Sequence, residues 1–234
     1  MDSNVLPETL EEIGPMAFYG IMDWDGSSSI VLPKGIREIG DGAFLYCCLE
    51  SVSLSADNEY FCIEDNMLFN KEKTRLLMMF KDVNTHRVVP EGVITIDGGC
   101  SDYNPSIEQL VLPSTLESIG ILAFAECSNL TDITVKTSTP PYCFEFYGYY
   151  PFQSSFTTAT LHVPTGSINA YKEADTWKDF FNITEDVETA VSHITTAPLP
   201  SSECYDLSGR KLPSNKVKGL YIEGGKKKIK MKNE

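Results

Sequence analysis

The stretch LPSTLESIGILAFAECSNLTDITV, Leu112–Val135, decides the fold. Its first half returns as LPETLEEIGPMAF at Leu6–Phe18 and LPKGIREIGDGAF at Leu32–Phe44, and a worn copy, VPEGVITIDGGC, stands at Val89–Cys100. Its second half, AECSNLTDITV from Ala125, returns as LYCCLESVSL at Leu45–Leu54. Pro7 and Pro33 lie one period apart, and so do Pro90 and Pro113. Self-similarity at a period of roughly 20–30 residues marks a solenoid, an architecture that offers a long surface for binding.

The chemistry of one unit follows from its apolar positions. Leu112, Leu116, Ile119, Ala123, Phe124, Leu130, Ile133 and Val135 must all point inward. Neither a helical spacing nor strict alternation covers the whole set, whereas short extended stretches separated by turns do. Pro113 closes one stretch, where no ladder donor is needed. Gly14, Gly40 and Gly120 close the next, as expected of tight bends with positive φ. Phe18, Phe44 and Phe124 supply a ring at the same level of each coil, so stacked coils are expected to align them in one internal column.

These residues resemble the BspA-type leucine-rich repeat, a bacterial surface family whose repeat reads approximately C-x-x-L-x-x-I-x-L-P-x-x-L-x-x-I-G-x-x-A-F. Cys127, Leu130, Ile133 and Val135 match its first part. Leu32, Pro33, Ile36, Ile39, Gly40, Ala43 and Phe44 match the rest. The resemblance runs from about Leu6 to Glu185. It implies a right-handed, β-rich leucine-rich-repeat solenoid and a role in adhesion to host matrix proteins and other cells. The worn copy departs from it: Asp97 replaces the Gly, and Cys100 and Ser101 replace Ala-Phe, so that coil is expected to be distorted. Cys47 and Cys127 occupy the repeat's own Cys position, where a buried thiol donates to loop carbonyls.

Two segments interrupt the period. Residues 56–80 read as an inserted β-hairpin with strands at Tyr60–Ile63, Met67–Asn70 and Arg75–Phe80, a feature the resembled family often carries. Thr139–Phe156 is a long loop crowded with aromatics. Residues 157–185 then form the cap: a last strand through Leu161 and Val163, and a helix with Ser167 as N-cap. Tyr171, Trp177, Phe180 and Phe181 are expected to seal the core.

The domain reading is therefore a solenoid over 1–185, a small, polar, Pro-bearing linker over 186–200, and a small C-terminal β-module over 201–234. In the module Tyr205–Leu207, Gly219–Ile222 and Lys226–Lys230 read as strands, with turns at Ser208-Gly209 and Gly224-Gly225. The strings YDLSGRK, KGLYI and GKKKIK resemble the sorting-type C-terminal module of exported proteins from Gram-negative gut and oral anaerobes.

At 234 residues and 42% hydrophobic, the chain buries a sizeable core. Its charge is uneven: residues 1–188 hold 10 Lys and Arg against 29 Asp and Glu, a net −19, and the remainder 9 against 4, a net +5. The acidic body repels phosphates, which argues against nucleic acid as partner. No apolar run is long enough to span a membrane, and no signal peptide precedes the first repeat, so export implies a trimmed chain.

Chemistry-bearing constellations are thin. The seven cysteines show no metal-ligand spacing, and no cofactor motif appears. Asp23-x-Asp25-Gly26 reads as a solvated turn rather than a calcium loop, since Ser27-Ser28-Ser29 follow where ligands are needed. A Cys143–His162 dyad is the one conceivable nucleophilic pair, which leaves a cysteine-dependent enzyme as a distant alternative. The reading is a non-enzymatic surface or secreted binding protein, with host or bacterial surface proteins, and also glycans, as partners. Its alternative is an architectural component that spaces or presents other domains. The candidate ligand-binding residues are Tyr147, Tyr149 and Tyr150, which flank Gly148 in the aromatic loop, and Glu50, Glu108, Gln109 and Asp132, expected on the concave face of the coils. Phe144, Phe152 and Phe156 of the same loop are expected to pack over the core.

Overall fold

A computed structural model describes residues 4–20, 29–47, 49, 51–101 and 104–185, together with the strand segments 204–205, 211–212, 219–223 and 226–230. The chain divides into two compact units, 1–187 and 188–234.

The first unit is a β-solenoid in which most coils contribute a front strand before the Pro and a short back strand before the corner. β1 (Asn4–Val5) and β2 (Glu12–Ile13) belong to the first coil, β3 (Ser29–Leu32) and β4 (Glu38–Ile39) to the second. The third has β5 (Ser51–Leu54), then β6 (Phe61–Glu64), β7 (Met67–Asn70) and β8 (Arg75–Met79). The next three are β9 (His86–Val88) with β10 (Thr95–Ile96), β11 (Gln109–Leu112) with β12 (Ser118–Ile119), and β13 (Asp132–Val135) with β14 (Tyr142–Cys143). β15 (Thr160–Val163), α1 (Ile168–Glu173) and a 3-10 turn at Trp177–Asp179 follow, and β16 (Asn182–Glu185) closes the array.

Front strands stack in parallel as β1-β3-β5 and as β9-β11-β13-β15-β16; β2-β4 and β8-β10-β12-β14 stack likewise behind them. Inward residues alternate with outward ones, as in Leu110 and Leu112, both buried, beside Gln109 and Val111.

The segment expected as an inserted hairpin is a three-stranded meander, and its last strand is the third coil's own back strand: β8 pairs antiparallel with β7 and parallel with β10. The meander divides two cores. Met67, Phe69, Leu76 and Met79 pack with the later coils, whereas Phe61, Leu68, Leu77 and Met78 pack with the earlier ones. The apolar runs MLF and LLMMF are what a strand buried on both faces requires. Asn58 pins the meander: its side-chain nitrogen donates to the Ile36 carbonyl at 2.9 Å, and its oxygen accepts from the Tyr60 and Phe61 amides.

The fourth coil is not distorted. Cys100 N–H bonds the Asp97 carbonyl just as Ala43 bonds Gly40 and Ala123 bonds Gly120, and Ser101 N–H reaches the Ala123 carbonyl of the next coil. The glycine of the repeat serves close approach rather than positive φ. A Cβ on Gly40 or Gly120 lies 2.3 or 2.2 Å from the backbone nitrogen of the preceding corner, Pro15 or Gly98. Asp97 replaces it where β8 precedes it and runs on to Met79 instead of turning. The left-handed residue stands two places later, at Met16 (φ 55°), Gly42 (62°), Gly99 (64°) and Leu122 (55°).

The phenylalanine column is broken into two stacks, Phe18 on Phe44 at 5.5 Å and Phe124 on Phe152 at 5.4 Å. Ser101 takes the ring's place between them and donates to the Met79 carbonyl. The thiols behave as expected: Cys47 donates to the Phe18 carbonyl and Cys127 to that of Ser101, each one coil back.

The cap departs from expectation in two respects. Ser167 donates to the Pro164 carbonyl and caps nothing; the Glu185 carboxylate accepts the Gly166 and Ile168 amides instead. Phe181 is 83% exposed, while Tyr171, Trp177 and Phe180 seal the core. In the second unit β17 (Cys204–Tyr205), β18 (Lys211–Leu212), β19 (Gly219–Glu223) and β20 (Lys226–Lys230) form an antiparallel sheet in the order β18-β17-β19-β20, one strand more than expected. The proposed linker, the turns of this module and Asp23–Ser28 lie outside the described residues.

Candidate binding surface

The five-stranded front sheet turns its outward positions into two ordered rows. Strand register aligns His86, Gln109, Asp132, Thr160 and Asn182 in one row, and Val88, Val111, Thr134, His162 and Thr184 in the next. Beneath them Leu110, Ile133 and Leu161 are buried, so the core fixes the strands without the outward side chains. Arg87 takes the corresponding inward slot in β9, where its guanidinium meets the Asp82 carboxylate and the Asp65 carbonyl and ties the meander to the sheet.

Two of the expected residues, Gln109 and Asp132, are neighbours in the first row. Glu108 stands just ahead of β11, where its carboxylate accepts from the Thr85 hydroxyl at 3.1 Å. Glu50 lies outside the described residues. Two histidines that were not among the expected binding residues complete the group. His86 Nδ1 is 2.7 Å from Gln109 Oε1, and His162 Nε2 is 3.2 Å from Asp132 Oδ1. These four, with Val111 and Thr134, line a shallow hollow of about 210 Å³. The signal for His86 was the period itself: it stands 23 residues before Gln109.

Tyr147, Tyr149 and Tyr150 lie elsewhere, in the corner that leaves β14 behind and rejoins the front at β15. Phe146 and Tyr149 exchange backbone hydrogen bonds around Tyr147 and Gly148, both at positive φ, which makes a two-residue hairpin turn. Tyr147 is thereby held out at its tip, 88% exposed, with the Phe146 ring edge-on at 4.4 Å. Tyr149 is exposed; Tyr150 is half-buried against Phe156. Phe152 packs into the core and Phe156 leans on Phe180, but Phe144 stays 51% exposed beside Tyr142.

Cys143 and His162 are not brought together. Cys143 faces inward from the back sheet, His162 outward from the front. Burial pushes the Cys143 thiol up to about 12, away from the thiolate a nucleophile needs. Among the described residues no cluster of three or more His, Cys, Asp or Glu is placed to hold a metal ion.

The family model of the BspA type leucine rich repeat region matches in six copies, over residues 1–87 and 94–185. No curated protein matches. Three solved structures are similar. One is a leucine-rich repeat protein from Eubacterium ventriosum, 21% identical over 69% of this chain and 47% of that one, with a TM-score of 0.48. A leucine rich cell surface protein from Faecalibacterium prausnitzii is 17% identical over 79% and 54%, at 0.49. The pneumococcal vaccine antigen PcpA is 15% identical over 76% and 60%, at 0.42. The chain thus spans between 47% and 60% of the length of these proteins.

Proposed function

Because the chain belongs to the BspA-type leucine-rich-repeat family, we propose that it is a non-enzymatic binding protein of the bacterial surface or its surroundings that uses the repeat surface to hold other proteins. The observation that carries this is the front-sheet group of His86, Gln109 and Asp132 in one row and His162 in the next, outward side chains set in register over a buried core. Tyr147 and Tyr149 add a second, aromatic contact on a hairpin turn, and tyrosine is a favoured anchor at interfaces. With a net −19 over residues 1–188, basic segments of host or bacterial surface proteins are the favoured partners. No helix of the described residues is long and apolar enough to cross a membrane. We also propose, from the strings YDLSGRK, KGLYI and GKKKIK, that the C-terminal unit serves in export as a sorting module.

The test is an array of soluble matrix and bacterial surface proteins probed with the full chain. Binding to at least one basic protein should fall in a Gln109→Ala/Asp132→Ala variant and in a Tyr147→Ala/Tyr149→Ala variant. Self-association with no captured protein would favour the architectural role instead.

A further inference from the structure

The hollow of the front sheet is lined by two of the chain's three histidines, and each is held by a neighbouring strand. His86 of β9 meets Gln109 Oε1 of β11 through Nδ1 at 2.7 Å. That oxygen accepts, so Nδ1 carries the proton of the neutral ring and Nε2 takes the second. His162 of β15 stands between Asp132 and Thr184: Nε2 donates to Asp132 Oδ1, and Nδ1 accepts the Thr184 hydroxyl, each at 3.2 Å. Asp132 Oδ2 accepts the Thr131 hydroxyl at 2.8 Å, which fixes the carboxylate from its other side. A proton added at His162 Nδ1 turns the Thr184 hydroxyl from donor to acceptor. His86 is exposed and His162 half-buried, so both rings become imidazolium in place with no strand moved.

Protonation reverses the sign of the hollow. Among the described residues of its lining, Asp132 is the one other charged group. The lining therefore holds a charge of −1 with both imidazoles neutral and +1 with both protonated. The charges on the strands around it are engaged elsewhere. Arg87 of β9 points inward and pairs with Asp82. Glu108, just ahead of β11, accepts from the Thr85 hydroxyl. Lys136, just past β13, pairs with Glu91. Glu185 of β16 is taken up by the Gly166 and Ile168 amides. Histidine is the side chain whose charge ordinarily changes between pH 5 and 8, so the two rings set the sign of the hollow across that range.

We propose that this hollow receives a lysine or arginine side chain of the basic partner and releases it on acidification, as His86 and His162 pass from neutral to charged. With the rings neutral, the Asp132 carboxylate and the Gln109 carbonyl supply the acceptors that such a cation needs, and Val111 lies beside its apolar stem. With the rings charged, His162 claims Asp132 as its own counter-ion and two imidazoliums face the incoming cation. A partner lysine or arginine keeps its charge over the same range, so the change lies in the hollow and not in the partner. The inference rests on the front-sheet reading and adds to it the group that is held and the condition that releases it.

The test measures the affinity of the full chain for dodecalysine by titration at pH 7.5 and pH 5.5, at one ionic strength. Binding at the lower pH should be about tenfold weaker, the scale of two added charges screened by water and salt. In His86→Gln/His162→Gln the ratio of the two affinities should fall close to one, whatever the affinity at pH 7.5. The buried Asp97 carboxyl, pushed up to about 6, titrates in native chain and variant alike, so the native ratio is read against that of the variant. The imidazole proton resonances of the native chain should shift for both rings between pH 8 and pH 5. Equal melting temperatures at pH 7.5 show that the variant keeps the fold. The proposal is overturned if the native affinity is the same at both pH values, if the variant keeps the native ratio, or if either ring fails to titrate; the front-sheet reading survives each of these results. Dodecalysine that does not bind at pH 7.5, or that binds Gln109→Ala/Asp132→Ala equally well, overturns that reading and this inference together.

Discussion

Arg75 grips Asp97 through two contacts of 2.7 Å, Nε to Oδ1 and Nη2 to Oδ2, at the joint where the meander meets the fourth coil. Around it, Asp41 of the second coil accepts the Gly98 amide across 57 residues of sequence, and Leu45 packs on Leu122 and Ala125. The corners of the early and late coils are thus tied directly together. Removing the guanidinium leaves a carboxylate buried without its partner. Arg75→Ala is expected to cost about 3–5 kcal/mol at pH 7 in denaturant unfolding; a loss below about 1 kcal/mol would show that the joint does not depend on the pair.

The same pair gives a pH dependence of known sign. Burial pushes the Asp97 carboxyl up to about 6, against the opposing pull of Arg75. Its folded value therefore lies above its unfolded one near 3.8. The stabilising contribution of its proton is full below about pH 4 and is lost as pH rises through about 6. Relative to Asp97→Asn, the native chain should lose on the order of 2–3 kcal/mol between pH 4 and pH 7. A difference that stays flat across that range would contradict the assignment.

Phe44 and Phe124 are buried, each stacked on the ring of a neighbouring coil, in two separate cores. Truncating either to Ala should cost about 3–5 kcal/mol. Because the sites share no partner, the double variant should be additive. A strongly non-additive result would mean that the two cores unfold as one packed column after all.

Corner geometry supplies a stabilising change. Met16 holds φ at 55° with its side chain half exposed, where Gly42 and Gly99 stand in other coils. Met16→Gly should raise stability by up to about 1 kcal/mol, since a left-handed residue with a Cβ is disfavoured by roughly that much or more. Gly120→Ala should do the reverse and strongly, because the new methyl meets the Gly98 nitrogen at 2.2 Å. Thermal melts of the two variants decide both signs.

The repeat was legible because it is written in large apolar residues at fixed spacing: Leu112, Ile119, Phe124 and Ile133 all lie where the phrase puts them. What the phrase hides is the difference between a turn and a close approach. Gly40 and Gly120 look like turn residues, yet their role depends on a neighbouring coil that no local reading contains. The fourth coil looked damaged because Asp97 breaks the motif, and its rescue by Arg75 crosses 22 residues into a segment that interrupts the period. The arrangement of the candidate surface was half legible. Gln109 and Asp132 follow from the strand pattern, whereas His86 and His162 join them only through register. Phe144 and Phe181 show the limit of counting rings: both stay exposed, because exposure depends on which way a corner turns.

The two compact units make the C-terminal segment separable. Deleting Ser201–Glu234 should leave the melting temperature of the solenoid within about 2 °C, since each coil depends on its nearest neighbours. In the native host the same deletion should abolish surface display. Unchanged display would leave the segment without a sorting role.

The central claim is that the front row of an acidic repeat surface holds basic protein partners. The most direct measurement is the affinity of the full chain for a panel of basic and acidic matrix proteins at low and high salt, with and without Gln109→Ala/Asp132→Ala. Binding that prefers basic partners, weakens as salt rises and drops in the double variant is the predicted result. Affinity indifferent to salt, to partner charge and to the variant would contradict it.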